Sequence, residues 1–396
     1  MPETHFITAL DVLFPRGNRL FGAAGQHGEA QMPPWPSVAA GAIRSRMLAD
    51  GNVDFPAFAH GARPDGPLGD SLGIPADPGS FRIAWFSLAR RVEGGVEPLI
   101  ALPADLSAAE NEDAILYLNP QFMPAGLKCG AATAQSAVLR QEKADKPQGG
   151  LWLTGAGLAA YLRGQPVIKP AHTVKTRDLW MTDQRVGIAL DTEKRIAAEG
   201  RIYTSEAVAL RTKDRTCEKK DLEFDVGFVV QIAGADGLVP RNGLVRLGGD
   251  GRGARIDACE MLLPEPDWDR IAKERRFRLV LSTPCLFEQG WRLPGIQPDG
   301  VTWQGPNGAS ARLLCAEVSR AQVVSGWDLA QRVPKAALRA APAGSVYWFE
   351  SFEGDISALR KLAEDGFGCL SSYPDRARHA EGFNNALVAN WAAGGA

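Results

Sequence analysis

The stretch Arg246-Leu247-Gly248-Gly249-Asp250-Gly251-Arg252-Gly253-Ala254-Arg255-Ile256 threads arginines through a run of glycines. Glycine leaves the backbone N–H groups sterically open, and arginine presents a rigid fork of donors. Arg246, Gly248, Gly249, Gly251, Arg252 and Arg255 therefore suit a polyanion lying close to the main chain. Two nucleotide motifs fail here. A Walker loop needs a lysine followed by Ser or Thr, and neither is present. A dinucleotide fingerprint needs Gly-x-Gly-x-x-Gly opening a helix, whereas the spacing is Gly249-x-Gly251-x-Gly253 and Ile256 to Leu263 reads as a strand, broken by Pro264 and Pro266. The same residues also read as an ordinary hairpin turn with its arginines facing water.

The five histidines are the other candidates for chemistry. His27 lies in a second glycine-rich loop, Phe21 to Gln31, near Arg16, Arg19 and Arg44. A histidine beside cations could cleave RNA by general acid–base catalysis on the 2′-hydroxyl; it could equally stack on RNA or bond a loop carbonyl. His172 sits in a basic run with Lys169, Lys175, Arg177 and, further on, Arg185. That run reads as a phosphate or base contact, or as a solvated edge hairpin protected by its lysines. There is no Gly-x-Ser-x-Gly elbow, no His-Glu-x-x-His and no aspartate array, so neither metal nor cofactor is expected. Trp152, Trp180, Trp291, Trp303 and Trp348 could stack on bases, each worth about 1–3 kcal/mol, or fill a core.

The elements that must position these residues follow from composition and pattern. The chain has 396 residues, room for roughly two domains. Hydrophobic residues make up 45% and charged residues 23%, a folded rather than a disordered composition. No apolar run is long enough for a bilayer, and the start lacks a basic region followed by an apolar one. The six cysteines are far apart, which fits reduced thiols and a cytoplasmic location. A net charge of −2 means that any RNA-binding cations must gather on one face, leaving an acidic remainder for protein partners.

Strands are predicted over Phe6–Phe14, Phe81–Arg90, Glu97–Leu102, Arg201–Leu210, Phe224–Ala233, Phe277–Ser282, Ala311–Val318 and Gly344–Glu350. Helices are predicted over Ser37–Asp50 with Ser37 as N-cap, over Leu151–Arg163 and over Asp355–Asp365. Residues 52–80 read as a surface loop, residues 103–150 as an insertion of short elements, and residues 167–213 as extended and hairpin-rich. The strand–helix–strand order recurs in both halves, so the expected class is α+β with antiparallel sheets.

Several segments together resemble one family. They are Leu20-Phe-Gly-Ala-Ala-Gly-Gln-His-Gly28, Pro33-Pro-Trp-Pro-Ser-Val-Ala-Ala-Gly-Ala-Ile-Arg44, Lys169-Pro-Ala-His-Thr-Val-Lys175 and Arg185-Val-Gly-Ile-Ala-Leu-Asp191. Further on come Glu199-Gly-Arg-Ile-Tyr-Thr-Ser-Glu206, the Leu247 to Arg255 glycine loop, Gly326-Trp-Asp-Leu-Ala330, Pro342-Ala-Gly-Ser-Val-Tyr-Trp-Phe349 and Gly366-Phe-Gly368. In type and order they look like the third subunit of the type III-B CRISPR RNA-guided effector, the Cmr complex, within the RAMP superfamily. The resemblance implies two ferredoxin-like (RRM-like) domains, expected over 1–215 and 216–396, with long insertions and a β-hairpin extension. It implies a non-catalytic scaffold that holds the 5′ repeat-derived tag of the guide RNA. That scaffold would join the backbone RAMP subunits to the large polymerase-like subunit and meet target RNA only indirectly. The enzyme alternative within the same superfamily is a metal-independent endoribonuclease acting on repeat RNA, with His27 or His172 as acid or base.

Overall fold

The structure is a computed structural model that describes residues 2–17, 27–124, 126, 133–141, 145–190, 194, 196–212, 224–328, 333–370 and 375–392. It is an α+β protein with mostly antiparallel sheets. The chain forms two compact units, each assembled from three stretches. Strands and helices are numbered in chain order through both.

The first unit comprises Met1–Glu97, Arg177–Met261 and Val324–Ala337. Its main sheet holds β1 (Glu3–Ala9), β3 (Arg82–Val92), β13 (Asp225–Ala233), β14 (Asn242–Arg246) and β15 (Gly253–Ala258), in the antiparallel order β3-β13-β1-β15-β14. The expected boundary at residue 215 does not follow this unit. β13 lies beyond that boundary, yet it is sandwiched between β1 and β3, because hydrogen bonding to both neighbours outweighs closeness in sequence. The central strands β1, β3 and β13 carry apolar runs buried on both faces, and one face of the sheet holds Ile7, Phe228, Val245, Ala254 and Ile256. Phe86 and Phe228 stack on that face with ring centroids 5.6 Å apart.

Helix α1 (Pro36–Asp50) packs against β3 and β14, burying Ala39, Ala42, Ile43 and Met47. Its N-cap is Trp35, not Ser37. Pro36 starts the helix because its missing N–H is not needed there, and Gly51 ends it. Residues 52–80 are not a plain loop; they hold α2 (Phe55–Ala59) and α3 (Gly66–Leu72). Both have proline in the first turn, which makes a short helix look like loop composition. β2 (His27–Gly28) pairs in parallel with β12 (Ala197–Leu210), and β12 pairs antiparallel with β11 (Trp180–Leu190) to make the long hairpin expected after residue 167. β20 (Trp327–Asp328) and β21 (Val333–Pro334) form a small ribbon.

The second unit comprises Pro98–Thr176, Leu262–Val323 and Leu338–Ala396. Its main sheet holds β16 (Phe277–Leu281), β17 (Thr302–Gln304), β18 (Ser310–Glu317), β23 (Val346–Glu353) and β24 (Ala386–Ala389), in the antiparallel order β17-β18-β23-β16-β24. Phe277 anchors its core, stacked on Phe349 at 5.0 Å and edge-on to Trp303 at 6.1 Å. α6 (Ile356–Asp365) packs Leu359 and Leu362 into this core; its cap is Asp355, which accepts from the Ser357 N–H, and it stops at Gly366. α5 (Trp268–Glu274), α7 (Arg376–Ala380), β19 (Gln322–Val324) and β22 (Leu338–Ala340) complete this part.

The 98–176 segment contributes the latter part of β4 (Gly95–Ala101), and β5 (Leu106–Ala108), β6 (Ala114–Phe122), β7 (Gln135–Leu139), β8 (Leu151–Leu153), β9 (Val167–Ile168) and β10 (Thr173–Lys175). β8 pairs with β4 and β10, while β6 pairs with β5, β7 and β9. The helix expected over Leu151–Arg163 is a strand followed by α4 (Gly155–Leu162). Thr154 accepts from the Gly157 N–H and marks the switch, which hydrophobicity alone does not reveal.

Candidate nucleic-acid interface

The glycine stretch is the turn between β14 and β15. Gly248, Asp250 and Gly251 take φ of 75°, 58° and 60°, the left-handed region that glycine and Asp tolerate best. The Gly249 N–H donates to the Phe14 carbonyl at 3.1 Å and the Leu247 N–H to the Arg252 carbonyl at 2.7 Å. Asp250 pairs with Arg16 at 2.9 Å. Both side chains are about half exposed, so the pair orders the turn and adds little stability, about 0–1 kcal/mol. Arg252 lies over the Phe14 ring at 4.8 Å and 3.7 Å from Asp11. Arg16 and Arg252 thus clamp the turn to the Asp11–Arg16 segment.

Register decides where the other two arginines go. Leu244 stands opposite Arg255, and Arg246 opposite Gly253, so Arg246 and Arg255 share the face turned away from Val245 and Ile256. Both are exposed. Arg255 donates to Asp257 at 2.9 Å, while Arg246 has no side-chain partner among the described residues. The loop therefore divides into bracing and presenting arginines.

The remaining expected residues are placed as follows. Arg44 is half-buried on α1 and donates to the Leu72 carbonyl at 3.4 Å. Arg177 and Arg185 are exposed and lie near Asp178 (3.9 Å) and Asp183 (3.1 Å). Arg19 lies outside the described residues, and so does the side chain of His27, whose backbone pairs with Thr204. In the second unit, the Lys169 ammonium donates to the Ala109 carbonyl at 2.7 Å and to Gln148 at 2.8 Å. His172 Nδ1 accepts the Ile168 N–H at 3.2 Å, and the His172 carbonyl accepts from Thr154. Both residues hold the turn between β9 and β10. Lys175, on β10, is exposed and has no ion-pair partner among the described residues.

Three further features carry no motif in the sequence. Arg91 stands on the same sheet face as Arg255, over the Phe6 ring at 4.7 Å. The distal hairpin carries Val186, Ile188 and Ile202 on one face, exposed by 73%, 55% and 60%. Their alternation was visible, but which face stays open depends on what packs there. Trp327 is 52% exposed, whereas Trp152, Trp303 and Trp348 fill cores. Among the described residues, no His, Cys, Asp and Glu cluster is placed to hold a metal ion, and no helix is long and apolar enough to cross a membrane.

The family described as CRISPR-associated protein (Cas_Cmr3) matches residues 5–391. Among solved structures, one chain of a type III-B Cmr-beta complex bound to cognate target RNA and AMPPnP shares 14% identity. It covers 97% of this chain and 96% of its own length at a TM-score of 0.47. A chain of the complex bound to cognate target RNA shares 13% identity with the same coverage at 0.48. One from the apo state shares 14% identity over 66% of this chain at 0.28. No match is found among curated proteins. The family match alone takes in both units and every stretch that composes them, so the chain belongs to the Cas_Cmr3 family of CRISPR-associated proteins.

Proposed function

We propose that this chain is a non-catalytic RNA-binding scaffold of a type III-B CRISPR effector complex. It holds the 5′ repeat-derived tag of the guide RNA and bridges the backbone RAMP subunits to the large polymerase-like subunit. The observation that carries the reading is the β14–β15 turn. It is clamped from behind by Arg16 and Arg252, and it presents Arg246 and Arg255 on one open face. Donor forks on a fixed, glycine-lined turn suit the phosphates of a single strand.

Strand order supports two ferredoxin-like domains. The orders β15-β1-β13-β3 and β24-β16-β23-β18 each place the fourth strand next to the first, then the third, then the second. The first set keeps its first helix, α1, with β14 and the glycine turn in place of the second; the second set keeps α6 in the later crossover. In an RRM the face opposite the helices stacks bases on exposed aromatics. Here Phe6 and Trp85 on that face are buried, which favours phosphate contacts at the open β14–β15 edge. The open apolar face of the β11–β12 hairpin supports the bridging part of the role.

The test is photocrosslinking of the tag in assembled complex, with the crosslinked peptides identified. Crosslinks to the 242–258 segment, lost in Arg246→Ala with Arg255→Ala, are the expected result. Unchanged crosslinking and tag protection in that double variant would overturn the assignment.

A further inference from the structure

One cleft on the same sheet face is not part of the glycine turn. It has a volume of about 490 Å³ and lies between the Gly94-Gly95 turn and the end of β15. Arg91, Arg255, Asp257 and Glu260 bring charge to its lining. A single oxygen of Asp257, Oδ2, faces both guanidiniums, 2.9 Å from Arg255 Nε and 3.7 Å from Arg91 Nη2. Arg91 is held from below by the Phe6 ring, so its fork is oriented before any ligand arrives. The two arginines are 38% and 53% exposed at their side chains, and each keeps donors that Asp257 does not use. A side chain added at Gly94 would meet nothing within 4 Å, so the mouth of the cleft is open there. The Cys259 thiol, pushed up to about 11 by burial, stays neutral and adds no negative charge to the wall.

Two forks that share one carboxylate oxygen are spaced for a ligand with two or more acceptor oxygens. We infer that Arg91 and Arg255 together grip one backbone phosphate of the bound RNA, with Asp257 setting the distance between the two guanidiniums. This rests on the RNA-binding reading above and names Arg91 as a contact in a part of the chain where the sequence showed none. Glu260 at the rim disfavours a second phosphate, so the site takes a phosphodiester in preference to a polyphosphate.

The test uses the full-length protein, single-stranded poly(U) RNA as probe and AMP as competitor, with affinity measured across a salt series. Arg91→Ala is expected to weaken binding roughly tenfold. It should also reduce the slope of log affinity against log salt by about 0.7, the value for one phosphate contact on a single strand. Arg91→Gln, which keeps a polar side chain at this position without the charge, gives the same reading if the alanine variant does not fold. Asp257→Asn is expected to tighten binding more than Asp236→Asn, an equal charge change outside the cleft. A purely structural ion-pair cluster would instead lose stability without tighter binding. Wild-type slope and affinity in both Arg91 variants would overturn the inference and leave the RNA-binding reading intact. Displacement of poly(U) by AMP in wild type but not in the Arg91 variants would reassign the cleft to a free nucleotide and also overturn it. Absence of salt-dependent poly(U) binding by the wild type would remove the reading on which the inference rests.

Discussion

Asp105 and Arg278, 173 residues apart in sequence, form an ion pair inside the second unit, with both side chains fully buried. Arg278 also donates to the Asn390 carbonyl at 2.8 Å and to the Tyr161 carbonyl at 3.0 Å. The other Asp105 oxygen accepts the Tyr161 hydroxyl at 2.8 Å. The rings of Tyr161 and Tyr117 lie 4.5 and 5.3 Å from the guanidinium. Burial pushes the Asp105 carboxyl up, opposed by Arg278 and Tyr161, and pushes the Tyr117 hydroxyl up to about 12. The pair joins the 98–176 segment to β16 and to the chain after β24, all within one unit.

Breaking such a pair from one side leaves a buried charge uncompensated, so Asp105→Ala or Arg278→Ala should each cost about 3–5 kcal/mol. Replacing both, as Asp105→Leu with Arg278→Met, should recover most of that loss. Urea denaturation midpoints check it. A double variant that loses as much as the two single variants summed would show that the pair is not coupled.

His5, on β1, is 2% exposed, and burial lowers its pKa from the ordinary 6.5 despite opposing pulls from Glu3 and a hydrogen bond to the Pro240 backbone. The folded state therefore favours the neutral ring. Its contribution is complete above pH 6.5, where the unfolded chain is also neutral, and is lost as pH falls below that value towards the folded pKa. Melting temperatures recorded across that range should fall for the wild type and fall less for His5→Gln. Parallel curves for the two proteins would refute this origin of the acid sensitivity.

Lys169 and Lys175 are six positions apart, yet they have opposite assignments. The Lys169 ammonium satisfies two internal acceptors, so Lys169→Ala should lower stability by about 1–3 kcal/mol. Exposed Lys175 lacks an ion-pair partner, so Lys175→Ala should leave stability within about 0.5 kcal/mol of wild type. Thermal melts of the two variants distinguish these outcomes, and a reversed order would contradict the assignment.

On the β11–β12 hairpin, Val186→Thr with Ile188→Thr keeps the β-branched shape while removing apolar surface from an open face. The isolated chain should melt within about 0.5 kcal/mol of wild type. Recovery of the partner subunits in co-purification should drop if this face docks on them. Full recovery at ordinary salt would assign the hairpin no part in bridging.

Much of the local structure was legible in the order of residues. Glycines in the 246–256 stretch announced a turn, and apolar runs rich in β-branched or aromatic residues in Phe224–Ala233 and Gly344–Glu350 announced strands. Asp355 and Gly366 bracketed a helix. Each of these signals acts over a few residues, through backbone sterics or a single cap, so no distant part of the chain is needed to read it. The segmental resemblance likewise reached the family, because motif order is a property of the chain itself. Side-chain roles were decided only by the tertiary structure. Arg252 braces and Arg246 presents because Phe14 and Asp11 are brought beneath one and not the other. Lys169 turns inward because Ala109 and Gln148 arrive from a different stretch. Arg91 joins Arg255 only because β13 and β1 place β3 and β15 in one sheet. The orientation of a long cationic side chain depends on acceptors and rings at any distance in sequence, and only folding brings them together.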